Sequence, residues 1–424
     1  MNKFLQILSF KQKVDMLNKN FWTVIITTFL LVTATFFICN RKLATNNEIV
    51  FWTLQMSDFA PYIHGIIEDF EKQHPNTKIK WVDVPFSEGE KRTLASILSD
   101  NPPDLVNLNP DFSATLAHKG ALFEIPQEKT TQYNKEIMQA LKINDKYYSI
   151  PWYATSAITI YNKDILKKSG IKIPTTYSDL YKNAKIVKSK TNTYIFLPNI
   201  TENDTMLKIL NKYNCATSLS INNEKSIEVF EMFKTLYTQD LMPKETMTMT
   251  LQESLEKYMS ENIMLITAGA NFLNMIKENA PTTYSKTDVA PQIVGDLGQN
   301  DFSLMNFVIP LRAKHKNEAL EFALFLTNEK NQLELAKLTN VLAVNSQTLK
   351  NEFYTNYDQK DLMAKARVIS ANQLNKIHPP YRTQKGQKEI NNIINSATQE
   401  ILLNKNSTKN ILDKAAKTWK TIEE

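Results

Sequence analysis

The sequence predicts an α/β protein of two interwoven domains, preceded by one apolar helix long enough to cross a membrane. Three observations predict it. Strand-like and helix-like stretches alternate from Glu48 onward, the pattern of sheets layered with helices and of largely parallel strands. The chain has 424 residues, more than one hydrophobic core supports, yet no low-complexity linker divides it. Phe21 to Cys39, FWTVIITTFLLVTATFFIC, is apolar or Thr throughout and carries no charge.

As a helix, that first segment spans roughly 28 Å at 1.5 Å per residue, about the thickness of a bilayer core. Lys3, Lys11, Lys13 and Lys19 precede it, opposed only by Asp15. The lysine excess places residues 1–20 in the cytoplasm and the rest of the chain outside. Residues 21–39 read either as an uncleaved signal anchor or as a degenerate lipoprotein signal ending at Cys39. Phe36-Phe37-Ile38 before the cysteine are not the small residues a lipobox wants. Both readings tether the chain to the outer face of a bacterial membrane.

The soluble part opens with a strand, Glu48 to Leu54, and a helix, Tyr62 to Phe70, whose Ile63, Ile66, Ile67 and Phe70 recur at helical spacing. Lys78 to Val84 is a second strand and Glu90 to Leu98 a second helix. Asn101-Pro102-Pro103 breaks it before the short strand Asp104 to Leu108. Asn144-Asp145 makes a tight turn. After it comes an aromatic corner at Pro151, with Trp152 and Tyr153 side by side, then an Ile- and Thr-rich strand to Tyr161. The next helix starts at Asn162-Lys163-Asp164 and stops at Gly170. Thr176 and Asp179 are spaced as a capping box. A helix begins near Asn223, another covers Leu251 to Met259, and strands follow at Ile263 to Thr267 and Leu304 to Pro310. From Lys316 on, the chain is almost all helical.

Composition narrows the function. Apolar residues make up 42% and charged residues 22%, the balance of a folded chain. A net charge of +6 without any basic block implies no nucleic-acid partner. Only 8 glycines are present, and neither a G-x-G-x-x-G nor a P-loop occurs. The five histidines His64, His74, His118, His315 and His378 form no metal-ligand pair. There is no G-x-S-x-G elbow, and no carboxylate pair stands out for glycoside hydrolysis. Cys215 has no partner in reach and reads as a small buried residue. An enzyme is the minority reading, and no cofactor is implied.

Several motifs recur in one order. They are Ile49-Val50-Phe51-Trp52, Phe70 to Pro75, Pro103-Asp104-Leu105-Val106 with Asp111, and Lys119-Gly120-Ala121-Leu122. Next come Lys146 to Trp152, Tyr161-Asn162-Lys163-Asp164, Ile263 to Gly269, and Ala319 to Leu326 with Thr327-Asn328-Glu329. In this order the chain resembles the bacterial extracellular solute-binding proteins (family 1) of carbohydrate-type ABC importers, the maltose-binding-protein-like family. The resemblance covers about residues 48 to 424.

It implies a two-lobed periplasmic-binding-protein-like fold of class II, with the ligand in a cleft between lobes. Carried over, lobe 1 takes 45–153 and 270–311, and lobe 2 takes 154–269 and 312–424. The crossings fall near Pro151–Ala157, Thr267–Asn271 and Asn306–Leu311. Ligand-lining candidates are Trp52, Asp111, Trp152, Tyr153, Asn271 and Asn306. Aromatic rings can cover a sugar's C–H faces while Asp and Asn bond its hydroxyls.

All the candidates but Asn271 have a structural alternative. Trp52 and the Trp152-Tyr153 pair also suit a core, Asp111 suits a helix N-cap after Pro110, and Asn306 can be met by a backbone group. Two stacking platforms common in the family are missing, with Ala270-Asn271-Phe272 and Asn107-Leu108-Asn109 in their places; Phe112 or Phe272 can replace them. The ligand is therefore a sugar, a polyol or a glycerol-phosphate-type solute. Arg382 suits either an anionic group or solvent. The implied function is the substrate-binding component of an ABC importer, closing on its solute and passing it to permease subunits. A sensor module with a membrane signalling partner shares the same cleft, and a glycan-active enzyme is a third reading.

Overall fold

The computed structural model describes residues 47–97, 99–377, 386–403 and 406–424. The apolar segment 21–39 with Cys39, and the stretch His378 to Arg382, lie outside the described residues. Among the described residues no helix is long and apolar enough to cross a membrane. Residues 49–70 and 79–424 form one compact unit, which carries the two cores and the candidate site. Glu71–Lys78 group with the chain up to Glu48 in a small second unit, where Lys78 pairs with Glu71 at 2.6 Å.

The strands are β1 (Asn47–Leu54), β2 (Thr77–Val84), β3 (Leu105–Leu108), β4 (Ile150–Thr155) and β5 (Ala157–Asn162). They continue with β6 (Tyr194–Phe196), β7 (Ile263–Gly269), β8 (Thr287–Ala290), β9 (Ser303–Val308) and β10 (Leu342–Ala343). They make a six-stranded sheet in the order β10-β4-β9-β3-β1-β2 and a four-stranded sheet in the order β6-β7-β5-β8. The expected predominance of parallel pairing does not hold. β1 and β3 are parallel, as are β6 and β7, but β9, β10, β5 and β8 pair antiparallel. Alternation in sequence counts helices between strands; it cannot show that β9 returns from 150 residues away.

Local signals are realised closely. Asn144 and Asp145 both have positive φ, 48° and 64°, as a tight hairpin turn demands. The Asn162 side chain caps the Lys163–Ser169 helix, and Gly170, at φ 68°, ends it in the left-handed conformation that a Cβ disfavours. Thr176 and Asp179 form the reciprocal capping box of the Tyr177–Thr191 helix. Cys215 is buried, and burial pushes its thiol pKa up. The buried Asp104 accepts from the backbone N–H groups of Val50, Lys314 and His315. It thereby fastens β1 to the start of the Lys316–Leu326 helix.

Each sheet has its own core. In the first, Phe51 meets Phe307 and Phe322 edge-on, at 5.7 and 5.2 Å. In the second, Met264, Phe233, Ile394 and Trp419 pack together, and Ile158, Ile266 and Tyr258 fill the other face. The expected lobe boundaries change accordingly. β8 and the helix Phe272–Asn279 belong with the second sheet, so of 270–311 only β9 and the residues flanking it, Phe302, Ile309 and Pro310, join the first. The helices Lys316–Leu326 and Glu329–Thr339, with β10, pack on the first core rather than the second. Helix Leu362–Gln373 touches both, with Ala371 in one core and Ala366 in the other. An apolar stripe announces that a helix is buried but not against which sheet.

Of the three expected crossings, the one near Pro151–Ala157 is where the chain crosses, and the other two are not. The chain passes between sheets at Ser156, where β4 hands over to β5, so the strand expected beyond a Pro151 corner is two strands. It returns between β8 and β9, through residues 291–302. Neither Thr267–Asn271 nor Asn306–Leu311 crosses. The first runs into a helix of the same lobe, and the second is the end of an interior strand.

Candidate ligand-binding site

Strand direction locates the site. β4 runs with β3 and β1, since both β3 and β4 pair antiparallel with β9. Their carboxyl ends share the edge from which β4 leaves for the second sheet. β5 enters that sheet at Ala157, opposite Gly269, the last residue of β7, and β6 parallels β7. The carboxyl ends of β6 and β7 therefore point back toward the same crossing. Ligands of open α/β sheets bind outside such carboxyl ends.

On the second sheet that edge holds a cavity of about 340 Å³, within the size range of small-ligand pockets. Phe196, Leu197, Pro198 and Asn199 form one wall as the chain leaves β6. The wall is held from behind. Pro198 O accepts from Thr246 Oγ1, the Asn199 amide donates to Met249 O, and Thr201 Oγ1 donates to Met247 O at 2.6 Å. Ser254, also lining, donates to Asn199 Oδ1 at 3.2 Å. Glu202 and Asp204 follow; Asp204 pairs with Lys208 at 3.1 Å, one helical turn on. The exposed Thr267 of β7 contributes a hydroxyl, and Tyr177 an aromatic ring. Burial and the nearby Asp301 carboxylate keep the Tyr177 phenol protonated far above its ordinary range. Gln292, Asp301 and Ala157, from the crossing segments, and the buried Lys212 also line it.

Of these residues, sequence reasoning selected none. Phe196-Leu197-Pro198-Asn199 carried a usable signal, an aromatic strand end followed by a Pro-Asn turn. Applying the carboxyl-end rule there would have found it.

The selected residues scatter. Trp152 is 0% exposed, stacks on Phe307 at 4.7 Å, and contacts Tyr153 edge-on at 5.1 Å. Its carbonyl accepts from the Gln332 amide. It is a core residue and presents no face to a ligand. The reason is strand alternation: Ile150, Trp152 and Ala154 share one face of β4, and all three are buried in the first core. Tyr153 is half-buried against the same core, and burial pushes its phenol up to about 12.

Asn306 is 0% exposed; its side-chain amide donates to Ser113 Oγ at 2.9 Å, and its backbone carbonyl accepts from Asn107 Nδ2 at 3.3 Å. A core position, rather than the edge, is what its apolar strand provides. Trp52 is half-buried with the Arg92 guanidinium 5.7 Å over its ring. Asp111 is exposed in the first turn of the Pro110–His118 helix. It is not the N-cap: Asn109 is, its Oδ1 accepting from Phe112 N–H at 2.8 Å. Asn271 is exposed just past β7 and folds back over Gly269, where a Cβ would stand 2.4 Å from its oxygen. Phe112 and Phe272 are both half-buried. Among the described residues no group of three or more His, Cys, Asp or Glu side chains could hold a metal ion.

Two α/β lobes joined by crossing segments, with a polar-rimmed cavity at the carboxyl ends, define a cleft-type binding protein. Residues 55–333 match the bacterial extracellular solute-binding protein family, to which this chain belongs. The multiple sugar-binding protein of Streptococcus mutans is 24% identical over 322 residues, 68% of this chain and 74% of the relative. The galactooligosaccharide-binding protein of Bacillus subtilis is 23% identical over 400 residues, 90% of each chain. A crystal structure of a candidate oligosaccharide periplasmic-binding protein from Synechococcus sp. MITs9220 superposes with a TM-score of 0.77 at 27% identity, covering 88% of this chain and 98% of that one.

Proposed function

We propose that this protein binds a sugar or short oligosaccharide in the second-lobe cavity and delivers it to the permease of an ABC importer. The observation that carries this reading is the cavity itself. At the carboxyl ends of β6 and β7 it combines aromatic surface from Tyr177 and Phe196 with carboxylate, amide and hydroxyl groups. That is the combination a sugar's C–H faces and hydroxyl rim require. Relatives named as binders of several sugars and of galactooligosaccharides support the class. Closure brings the first lobe's edge over the ligand, and Asp111, with Trp52 and Asn271 at the rim, then contacts it; the closed state is favoured because both lobes touch the ligand only there. Ligand capture and release need no covalent step. Residues 21–39 tether the protein outside the cell, as a signal anchor or through a lipid on Cys39.

A thermal-shift screen of neutral sugars and oligosaccharides tests the reading, because a ligand of the native state raises stability by mass action. The expected result is a concentration-dependent rise with at least one saccharide, weakened in Asp111→Ala. No rise with any of them defeats the assignment. The intact mass of the mature protein decides between anchor, lipoprotein and cleaved forms.

A further inference from the structure

We propose that Asp301 is the acceptor that reads ligand hydroxyls at the hinge end of the cavity, held in place by the buried Lys212, and that the pair makes the cavity refuse anionic solutes. The proposal rests on the reading of this cavity as a solute site and deepens it.

Lys212 has a side chain only 2% exposed. Its ammonium donates to Gln292 Oε1 at 3.0 Å and Ile293 O at 2.7 Å, and pairs with Asp301 Oδ2 at 2.9 Å. An ammonium has three hydrogens, so all are used within the protein. A cation at the floor of a cavity would ordinarily suggest an anion site; this one has nothing left to offer. The backbone of Gly295 packs against that of Lys212, where a Cβ would stand 2.6 Å from the Lys212 carbonyl oxygen.

Asp301 is fixed at both ends. Its N–H donates to Gln292 Oε1 at 3.0 Å, and its C=O accepts from Gln292 Nε2 at 3.0 Å and Ser156 Oγ at 3.3 Å. With Oδ2 held by Lys212, Oδ1 is the carboxylate oxygen left for the cavity that Asp301 lines. An acceptor immobilised in advance loses little freedom when a hydroxyl meets it. The rest of the charge inventory agrees. Glu202 adds a second carboxylate to the lining, while the other lining cation, Lys208, is paired with Asp204. The cavity offers carboxylate acceptors and no unengaged ammonium. Hydroxyl donors suit it, and a phosphate or uronate meets like charge. Asp301 also lies in the segment that crosses between the lobes, so a ligand hydrogen-bonded to it acts on the hinge directly.

The test is calorimetric titration of the full extracytoplasmic chain with maltotetraose and a galactotriose. Two charge pairs accompany them: galactose with galacturonic acid, and glucose with glucose 6-phosphate. The wild type is expected to bind a neutral saccharide, and to bind each anionic member at least about tenfold more weakly than its neutral counterpart. Asp301→Asn alone strands a buried ammonium, so the variant to make is Lys212→Met/Asp301→Asn, which removes both charges together. It is expected to fold and to bind the neutral saccharide about 10- to 100-fold more weakly, the worth of one hydrogen bond to a charged acceptor. The preference against anions should narrow in the same variant. A folded double variant with unchanged affinity overturns the proposal, and so does wild-type binding of the anionic members as tightly as the neutral ones. The second measurement requires no substitution. A wild type silent to every saccharide instead defeats the parent reading and this proposal with it.

Discussion

The two lobes present the same feature, the carboxyl ends of parallel strands, and use it differently. On the first sheet the aromatic residues near that edge turn inward: Trp152 is sealed between Phe307 and Tyr153. On the second sheet the chain leaving β6 turns outward, and Phe196 to Asn199 form one wall of a cavity of about 340 Å³. Strand polarity decides where a site can be. Packing behind the strand decides whether one is there. On β4, Trp152 shares its face with Ile150 and Ala154 in the first core, whereas bonds from Thr246 and Ser254 hold the loop after β6 outward.

The sharpest way to break this contrast is Trp152→Ala. A fully buried indole replaced by a methyl should cost about 3–5 kcal/mol in stability, read from denaturant midpoints. Ligand affinity of the folded fraction should stay within about twofold. A large affinity loss in a stable Trp152→Ala protein would return the indole to the site. The converse substitution is Thr267→Trp, which puts a large ring into the second-lobe cavity from an exposed strand position. It should weaken saccharide binding by at least about 100-fold, roughly 2.7 kcal/mol, with little change in melting temperature.

Alkali sharpens the comparison without mutation. The phenols of Tyr153 in the first lobe and Tyr161 and Tyr213 in the second are pushed up to about 12, chiefly by burial, from an ordinary 10.0. Their contribution is whole below pH 10, where folded and unfolded chains are both protonated. It drains between pH 10 and 12, where the unfolded chain ionises first. Tyr153 alone should account for on the order of 2 kcal/mol, visible by circular dichroism as a lowered melting temperature. Tyr153→Phe should flatten the decline. The smallest expected effect is that of Asn109→Ala. Loss of the N-cap should remove about 1 kcal/mol and leave Asp111 on a frayed first turn, whereas Asp111→Ala should leave stability almost unchanged.

How much was legible in the sequence follows from the range of each signal. Asn144-Asp145, Asn162 with Gly170, and Thr176 with Asp179 act within one turn of chain, and all three do in the structure what their residue types demand. The ordered motifs led to the family and to two α/β lobes. The site candidates fared worse because their signal was residue type alone. A Trp beside a Tyr fits a pocket wall and a core equally, and the groups that cover the Trp152 face of β4, Phe307 and the helices after Lys316, lie far away in the chain.

The sequence by itself determined most of the elements, the caps at Asn162, Gly170 and Thr176, the absence of a glycine-rich phosphate loop and the family. Each depends on neighbours along the chain or on an ordered set of short motifs. Only the tertiary structure decided which core received each C-terminal helix, where the chain crosses, and that the cavity lies on the second lobe. It alone brought Lys212, Gln292 and Asp301 together. A buried lysine is tolerable only when every one of its hydrogens finds an acceptor. Those acceptors come from segments some 80 to 90 residues further along the chain, which no local pattern records.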